Sequence, residues 1–340
     1  MSDRLRLAVV GAGLMGRQHV GALDALAEAE LVAIVDPSEA ARAYAGELGV
    51  AWHADLEAIL RSDRPDGIVL ATPNQLHEAQ GLACIAAGLP LLIEKPIATE
   101  VASAERLTSA AEAAGVPLLV GHHRRHNPII GKAKEIIDSG ALGRITAVQA
   151  ACWLYKPDAY FEQQWRREAG AGPVFINLIH DIDLLRHLCG EIVAVAARES
   201  SAARGNAVED TAAMVLQFNN GALGTVSVSD SVVAPWSWEM TAGENPAYPQ
   251  TGETCYWIGG THGALALPNL RLWEQGEVRG WWEPMSGTAV EVQKADPIAE
   301  QMRHFCRVVR GLEAPLVSAR EATRTLAVIA RIKQSASDTA

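Results

Sequence analysis

An apolar run, Leu5–Val10, passes directly into the turn Gly11-Ala12-Gly13-Leu14-Met15-Gly16, and a helical pattern opens inside that turn. No other feature of the chain limits its fold as strongly. Gly11 permits the tight turn, Gly13 lets backbone approach a pyrophosphate, and Gly16 lets the helix pack close to the strand. Exposed amides and the helix dipole then supply positive potential without a basic side chain. Leu31–Val35, Ile68–Ala71, Leu91–Ile93 and Leu118–Val120 repeat the short apolar run, separated by Ala-rich helical stretches such as Gln75–Ala87 and Val101–Ala114. Gly88-Leu89-Pro90 and Gly115-Val116-Pro117 close two of these helices. Fully apolar strands need cover on both faces, which predicts an α/β fold: a doubly wound parallel sheet of Rossmann type over residues 1–122.

Beyond residue 123 the pattern changes. Ile130–Ile137 reads as a helix that Gly140 helps to end, and strands then follow one another directly. Thr211–Phe218 and Ala222–Ser229 join through Asn219-Asn220-Gly221, a hairpin signal. Leu270–Glu274 and Val278–Trp282 read as a second hairpin. The expectation for residues 123–295 is a second domain of α+β class with a large, mostly antiparallel sheet, to which the resemblance named below adds substrate binding and oligomerisation. Two helices over 296–340 pack on the domains: Asp296 and Pro297 open the first, Gly311 and Pro315 end it, and Ser318 with Glu321 caps the second.

At 340 residues and 49% hydrophobic, the chain has apolar material for more than one core. A net charge of −11 without any basic run argues against a nucleic-acid partner. Cys84, Cys152, Cys189, Cys255 and Cys306 are scattered and never spaced C-x-x-C, so they read as buried thiols of a reducing compartment. No signal-peptide core follows Met1 and no apolar stretch reaches bilayer length, so a cytoplasmic protein without a membrane partner is expected.

Each apolar run of the first third ends in polar chemistry: Asp36, Thr72-Pro73-Asn74, Glu94-Lys95-Pro96 and His122-His123-Arg124-Arg125. Open parallel sheets bind ligands at that edge. Asp36, twenty residues past Gly16, is placed to accept adenosine ribose hydroxyls; an acid there repels a 2′-phosphate, and no cation follows until Arg42. NAD is therefore expected over NADP. His122, His123 and His126 with His180 lack an acidic or thiolate partner at suitable spacing, so no metal is expected. Trp153 and Tyr155 alternate on one predicted strand, lining a substrate pocket or packing in the sheet. The segment Pro235–Trp257 exceeds a hairpin turn, and its Asn245 and Tyr248 serve either substrate or a subunit interface.

The set G-A-G-L-M-G, A-T-P-N-x-x-H (Ala71–His77), E-K-P, G-H-H-R-R-H-N-P (Gly121–Pro128) and H-D-I-D (His180–Asp183) resembles the glucose–fructose oxidoreductase / inositol dehydrogenase / rhizopine-catabolism (Gfo/Idh/MocA) family. The resemblance implies sugar, inositol or cyclic-diol substrates and a homo-oligomer, dimer or tetramer, formed through the C-terminal sheet. It implies that Lys95 is the active-site lysine and His180 the proton-transfer histidine. It also sets Leu14 and Met15 beside the glycines at the cofactor, and Thr72, Pro73, Asn74, His77, Glu94 and Lys95 at the nicotinamide ribose. His123, Arg124, Trp165 and Arg166 fall where the family makes cofactor or substrate contacts. One departure is plain: many members carry Asp four residues before the histidine, and Ile176 stands there. Asn177, one helix face with His180, can orient a hydroxyl but cannot serve as a carboxylate base. A Lys95–His180 pair is the expected machinery, with His180 taking the hydroxyl proton and Lys95 bonded to the same oxygen. The expected activity is NAD-dependent oxidation of a secondary alcohol of a cyclic polyol or sugar. The alternatives are an NADP-linked ketosugar reductase or cyclic diol dehydrogenase, and a non-catalytic dinucleotide-sensing regulator.

Overall fold

The computed structural model describes residues 4–62, 64–168 and 170–338; the extreme ends of the expected first and last domains lie outside the described residues. The chain divides into two compact units, Met1–His126 with Ala295–Leu326, and Asn127–Lys294 with Ala327–Ala340. The boundary thus falls four residues beyond the expected one, and the helix Pro297–Val309 belongs to the first unit. Its Phe305 and Val309 pack where a Cβ on Gly67 would already meet them at 3.2 and 3.0 Å.

In the first unit, β1 (Leu5–Val10), β2 (Ala29–Val35), β3 (Ala51–His53), β4 (Gly67–Leu70), β5 (Leu91–Ile93) and β6 (Leu118–Val120) form one sheet in the order β3-β2-β1-β4-β5-β6. Every pairing is parallel. Strand order reverses between β1 and β4, which puts the ligand crevice at the carboxyl ends of those strands. The central strands are sealed on both faces: Leu7, Ala8, Val9, Ile68 and Val69 have no exposure. β3 was not legible, because Ala-Trp-His lacks a continuous apolar run.

His126, at the end of this unit's first segment, stacks near His304 with ring centroids 5.1 Å apart. Burial, then the neighbouring His304, His123, Arg125 and Arg307 charges, depress it to about 3. The folded state therefore holds a neutral ring that the unfolded chain protonates below its ordinary 6.5. Stability is complete above that value and falls as pH drops towards about 3, by ~1.4 kcal/mol per unit. Acid unfolding of His126→Leu should be shallower over this window; an unchanged slope refutes the assignment.

The second unit is built on β7 (Ile145–Trp153), β8 (Ile192–Ser200), β9 (Thr211–Phe218), β10 (Leu223–Ser229), β11 (Tyr256–Gly260), β12 (Gly263–Leu267), β13 (Arg271–Gln275) and β14 (Met285–Ala289). Their order is β14-β13-β12-β11-β7-β10-β9-β8, antiparallel except for the β7–β10 pair. Residues of one face, among them Leu216, Ile258 and Leu265, form a core with Ile130 of the helix Pro128–Asp138, Ile182 of the helix Leu178–Cys189, and Ile329 of the last helix. Alternate residues such as Val215 point outward, the period-2 signature of a one-sided sheet.

Two expectations are corrected. β13 pairs with Met285–Ala289 and not with Val278–Trp282. The Gln275 side chain bonds the Gly280 N–H and carbonyl and the Glu283 carbonyl, folding that stretch into a loop that leaves Trp281 and Trp282 exposed. β7 stops at Trp153, so Tyr155 does not share its strand; it lies exposed with the Arg204 guanidinium 5.5 Å from its ring. Among the described residues, no helix is long and apolar enough to cross a membrane.

Candidate active site

In the first unit the glycine turn separates into fold-imposed and ligand-facing positions. Gly11 has φ +93°, and a Cβ there would lie 2.5 Å from the Ala71 carbonyl oxygen. A Cβ on Gly16 would lie 1.9 Å from the Gly11 carbonyl oxygen. At Gly13 it would meet nothing within 4 Å. The helix Leu14–Asp24 starts there without a side-chain cap, beside an exposed Leu14 and a half-buried Met15. Open space in front of helix amides fits a pyrophosphate.

Asp36 ends β2 with both carboxylate oxygens engaged. Oδ2 accepts the Ala12 N–H at 2.9 Å; Oδ1 accepts the Ser38 N–H at 2.9 Å and its hydroxyl at 2.6 Å. Burial alone would raise this carboxyl, but those bonds and the Arg17 charge hold it below the usual range. Arg17 itself donates to the Ala12 carbonyl and lies 4.0 Å from the Tyr44 ring. Arg42 lies over Trp52, whose indole N–H donates to the Asp36 carbonyl. One cation, Arg17, therefore bears on the acid, and it was missed because it precedes Asp36 in sequence.

Three strand ends are clasped together. Thr72 donates its hydroxyl to Gln80, and Pro73 leads into the single turn Asn74–Leu76. His77 is fully buried, its ring nitrogens 2.9 Å from both the Pro96 and Thr72 carbonyl oxygens. Burial depresses this imidazole against the pull of those carbonyls. Glu94 is buried as well: Oε1 lies 2.7 Å from His19 Nε2, and Oε2 accepts the Lys95 N–H at 3.1 Å. Burial would raise Glu94, but the His19 bond and the charges of His19, His123 and Lys95 bring it below its ordinary value. A Cβ on Gly121 would collide with that carboxylate at 2.8 Å. Lys95 is half-buried on this ionised floor, so His77 and Glu94 act as braces beneath the edge. His123, Arg124 and Arg125 form a tight turn after β6, with Arg124 buried and Arg125 paired to Glu321 at 3.4 Å. His19 escaped the sequence reading, although three residues past Gly16 it faces the same inward side.

In the second unit His180 sits in the first turn of Leu178–Cys189, 7% exposed. Asn177 joins this helix to the short Pro173–Ile176, and its Oδ1 is buried with no donor among the described residues. The junction is held from behind: Glu209 accepts the Val174 N–H at 3.0 Å and pairs with Lys333 at 2.7 Å. Asp181 accepts a short hydrogen bond from Tyr256; Trp238 stacks on Tyr256 at 5.7 Å and donates to Glu244, which also accepts from Asn127. Buried Asp181 and Tyr256 thus tie the His180 helix to the long loop. Trp153 donates to Ser227 and lies edge-on to Trp236 at 5.5 Å. Trp165 is exposed and donates to Gln163, while Arg166 covers Tyr160 at 4.0 Å. Asn245 is an exposed turn former whose side chain accepts the Ala247 N–H; Tyr248 is half-buried. Among the described residues, no group of three or more His, Cys, Asp or Glu is arranged to hold a metal ion.

A Rossmann sheet with an open glycine cradle, followed in the chain by a sheet domain that holds a buried imidazole, defines the class: an oxidoreductase with a dinucleotide-binding domain. Residues 5–122 match the oxidoreductase family with NAD-binding Rossmann fold, and residues 130–266 match the GFO/IDH/MocA C-terminal domain. The chain belongs to the GFO/IDH/MocA oxidoreductase family. It is 35% identical over 243 residues to inositol 2-dehydrogenase 4 of Saccharopolyspora erythraea, covering 67% of this chain and 68% of that one. It is 31% identical over 273 residues to 1,5-anhydro-D-fructose reductase of Ensifer adhaerens, covering 78% and 76%. Among solved structures, the WlbA dehydrogenase of Bordetella pertussis, in complex with NADH and UDP-GlcNAcA, has a TM-score of 0.78 at 27% identity over 99% and 98% of the two chains.

Proposed function

We propose that this protein is an NAD-dependent dehydrogenase that oxidises a secondary alcohol of a cyclic polyol or sugar to a ketone or lactone. The observation that carries the reading is the open Gly13 cradle on the same sheet edge as a half-buried Lys95 resting on ionised Glu94. Relatives named as an inositol dehydrogenase and an anhydrosugar reductase support the substrate class.

Gly11, Gly13 and Gly16 with Leu14 and Met15 would hold the pyrophosphate, Asp36 the adenosine ribose, and Thr72, Pro73 and Asn74 the nicotinamide ribose, with Arg124 and Trp165 as further contacts. When bound, the nicotinamide supplies the hydride acceptor. His180 takes the hydroxyl proton, a role suited to an imidazole near neutral pH. Lys95 bonds the same oxygen and offsets its developing negative charge. The orphan Oδ1 of Asn177 accepts from a second hydroxyl, which orients the ring.

A panel of inositols and aldoses with NAD and NADP, followed by reduced-cofactor absorbance, tests this; no turnover on any member refutes it. The NADP-linked reductase reading draws on Arg17, whose charge acts on Asp36. Asp36→Ala should raise the KM for NAD ~10-fold or more, the worth of a charged hydrogen bond, and erode the preference over NADP. An unaltered NAD-to-NADP ratio would remove Asp36 from that role.

We also propose a cytoplasmic homo-oligomer joined through the open face of the eight-stranded sheet. Val215, Leu223 and Trp257 are 48, 56 and 40% exposed there, apolar area that an isolated chain leaves wet. Light scattering should show the mass of Val215→Asp/Trp257→Glu fall to a single chain; an identical mass in the parent and the variant refutes this face.

A further inference from the structure

Two cationic side chains of the second unit, Lys156 and the expected substrate contact Arg166, each keep a buried nitrogen without an acceptor among the described residues. Lys156, just past β7, is 7% exposed, and its ammonium has no hydrogen-bond acceptor among the described residues. The Asp230 Oδ2 oxygen lies 3.9 Å away, an ion-pair separation beyond hydrogen-bond reach. Arg166 Nε is likewise buried without an acceptor, and Arg166 forms no ion pair among the described residues. Both cations lie against one phenol ring, with Lys156 Nζ 4.9 Å and the Arg166 guanidinium carbon 4.0 Å from the Tyr160 centroid. The Arg166 fork is fixed by a 2.8 Å bond from Nη1 to the Tyr160 carbonyl, so Nε cannot swing to a partner without breaking it.

The other charged groups nearby are engaged with one another. Arg204 and Asp230 satisfy each other through Nε and Oδ1 at 2.8 Å, with the second Arg204 nitrogen on the Asp230 and Lys156 carbonyls. That leaves Lys156 and Arg166 against Glu239, whose charge acts on Lys156. Asp158 is 94% exposed beside Arg204 and is screened by water. Buried donors in folded proteins are normally satisfied, and two orphans on one ring call for one acceptor with two oxygens.

We infer that Lys156 and Arg166, across Tyr160, form an anion subsite that takes the carboxylate of an acidic sugar, a uronate or aldonate. This deepens the dehydrogenase reading and rests on it for the reaction. Burial also pulls the Lys156 ammonium below its ordinary range, so an arriving carboxylate would restore it.

The experiment uses the full chain with D-glucuronate, D-gluconate, D-glucose, myo-inositol and D-glucose 6-phosphate, reading both turnover with NAD and binding by calorimetry. The subsite predicts at least ~10-fold higher kcat/KM for an acid than for D-glucose, falling as salt is raised. Lys156→Met and Arg166→Gln should each collapse that acid-to-neutral ratio ~10-fold or more. If either variant fails to fold, the parent's acid-to-neutral ratio and its salt dependence decide alone. Equal use of D-glucuronate and D-glucose overturns the subsite while the dehydrogenase stands. Binding of D-glucuronate that Lys156→Met abolishes, without turnover of any sugar, upholds the subsite while the dehydrogenase falls. Tighter binding of D-glucose 6-phosphate than of D-glucuronate overturns the carboxylate assignment.

Discussion

Lys95→Met and His180→Leu should each lower kcat by about 100- to 10,000-fold while NAD affinity changes by no more than about threefold. Methionine keeps most of the lysine stem and removes the charge, so packing at the end of β5 survives and the lost rate reports electrostatics. The charge is anchored: the Lys95 N–H donates to Glu94, whose ionised carboxylate sits directly beneath. His180 is buried in the first turn of a helix held by the Glu209–Lys333 and Asp181–Tyr256 contacts, so leucine should alter chemistry more than fold. If the imidazole is the base, the fall of kcat/KM on the acid side of the profile should vanish in His180→Leu. Groups that act on one oxygen are not independent, so the double variant should be little worse than the poorer single. An undiminished kcat in either single variant, or strictly multiplicative losses, would break the proposed pairing.

The fold was legible wherever one physical constraint wrote a long signal. The all-buried strands β4, β5 and β6 and the buried Leu7–Val10 end of β1 left continuous apolar runs, and Asn220-Gly221 marked the β9–β10 turn, where Gly221 adopts φ +87°. The partner of β13 was misread because Val278–Trp282 has strand-like composition, while its geometry is set by one side chain, Gln275, clasping Gly280 and Glu283. Tyr155 was misplaced for a similar reason: alternation cannot show where a strand stops. At the site, motifs located the strand-edge residues but not their support. His19, Tyr256 and Lys156 lie 75, 75 and 74 positions from their polar partners in the chain, far outside any local window. Such pairings are created by topology, and sequence period carries no trace of them.

His19→Ala should destabilise the protein by about 3–5 kcal/mol, the cost of leaving a buried charge without its partner. Glu94 is 5% exposed and His19 has no exposure, so water cannot replace the lost ring. The carboxylate would retain the Lys95 N–H, one donor for two oxygens. The pH dependence follows in sign. In the parent, Glu94 is held below its ordinary 4.5, so its contribution is present above that value and is lost as pH falls through the lower folded value. Without His19 the largest of the lowering contacts is gone, so the deficit of the variant should be widest near neutrality and narrow in acid. Glu94→Gln in the His19→Ala background should recover part of the stability, because it removes the charge that lacks a partner. His19 is also a positioning residue, since Glu94 Oε2 fixes the backbone that carries Lys95. The folded fraction of His19→Ala should therefore lose kcat with little change in KM, and His19→Gln, which restores a donor, should regain part of it. Unfolding within 1 kcal/mol of the parent, or a kcat unaffected in the folded fraction, would show that the pair neither holds the turn nor aims the ammonium.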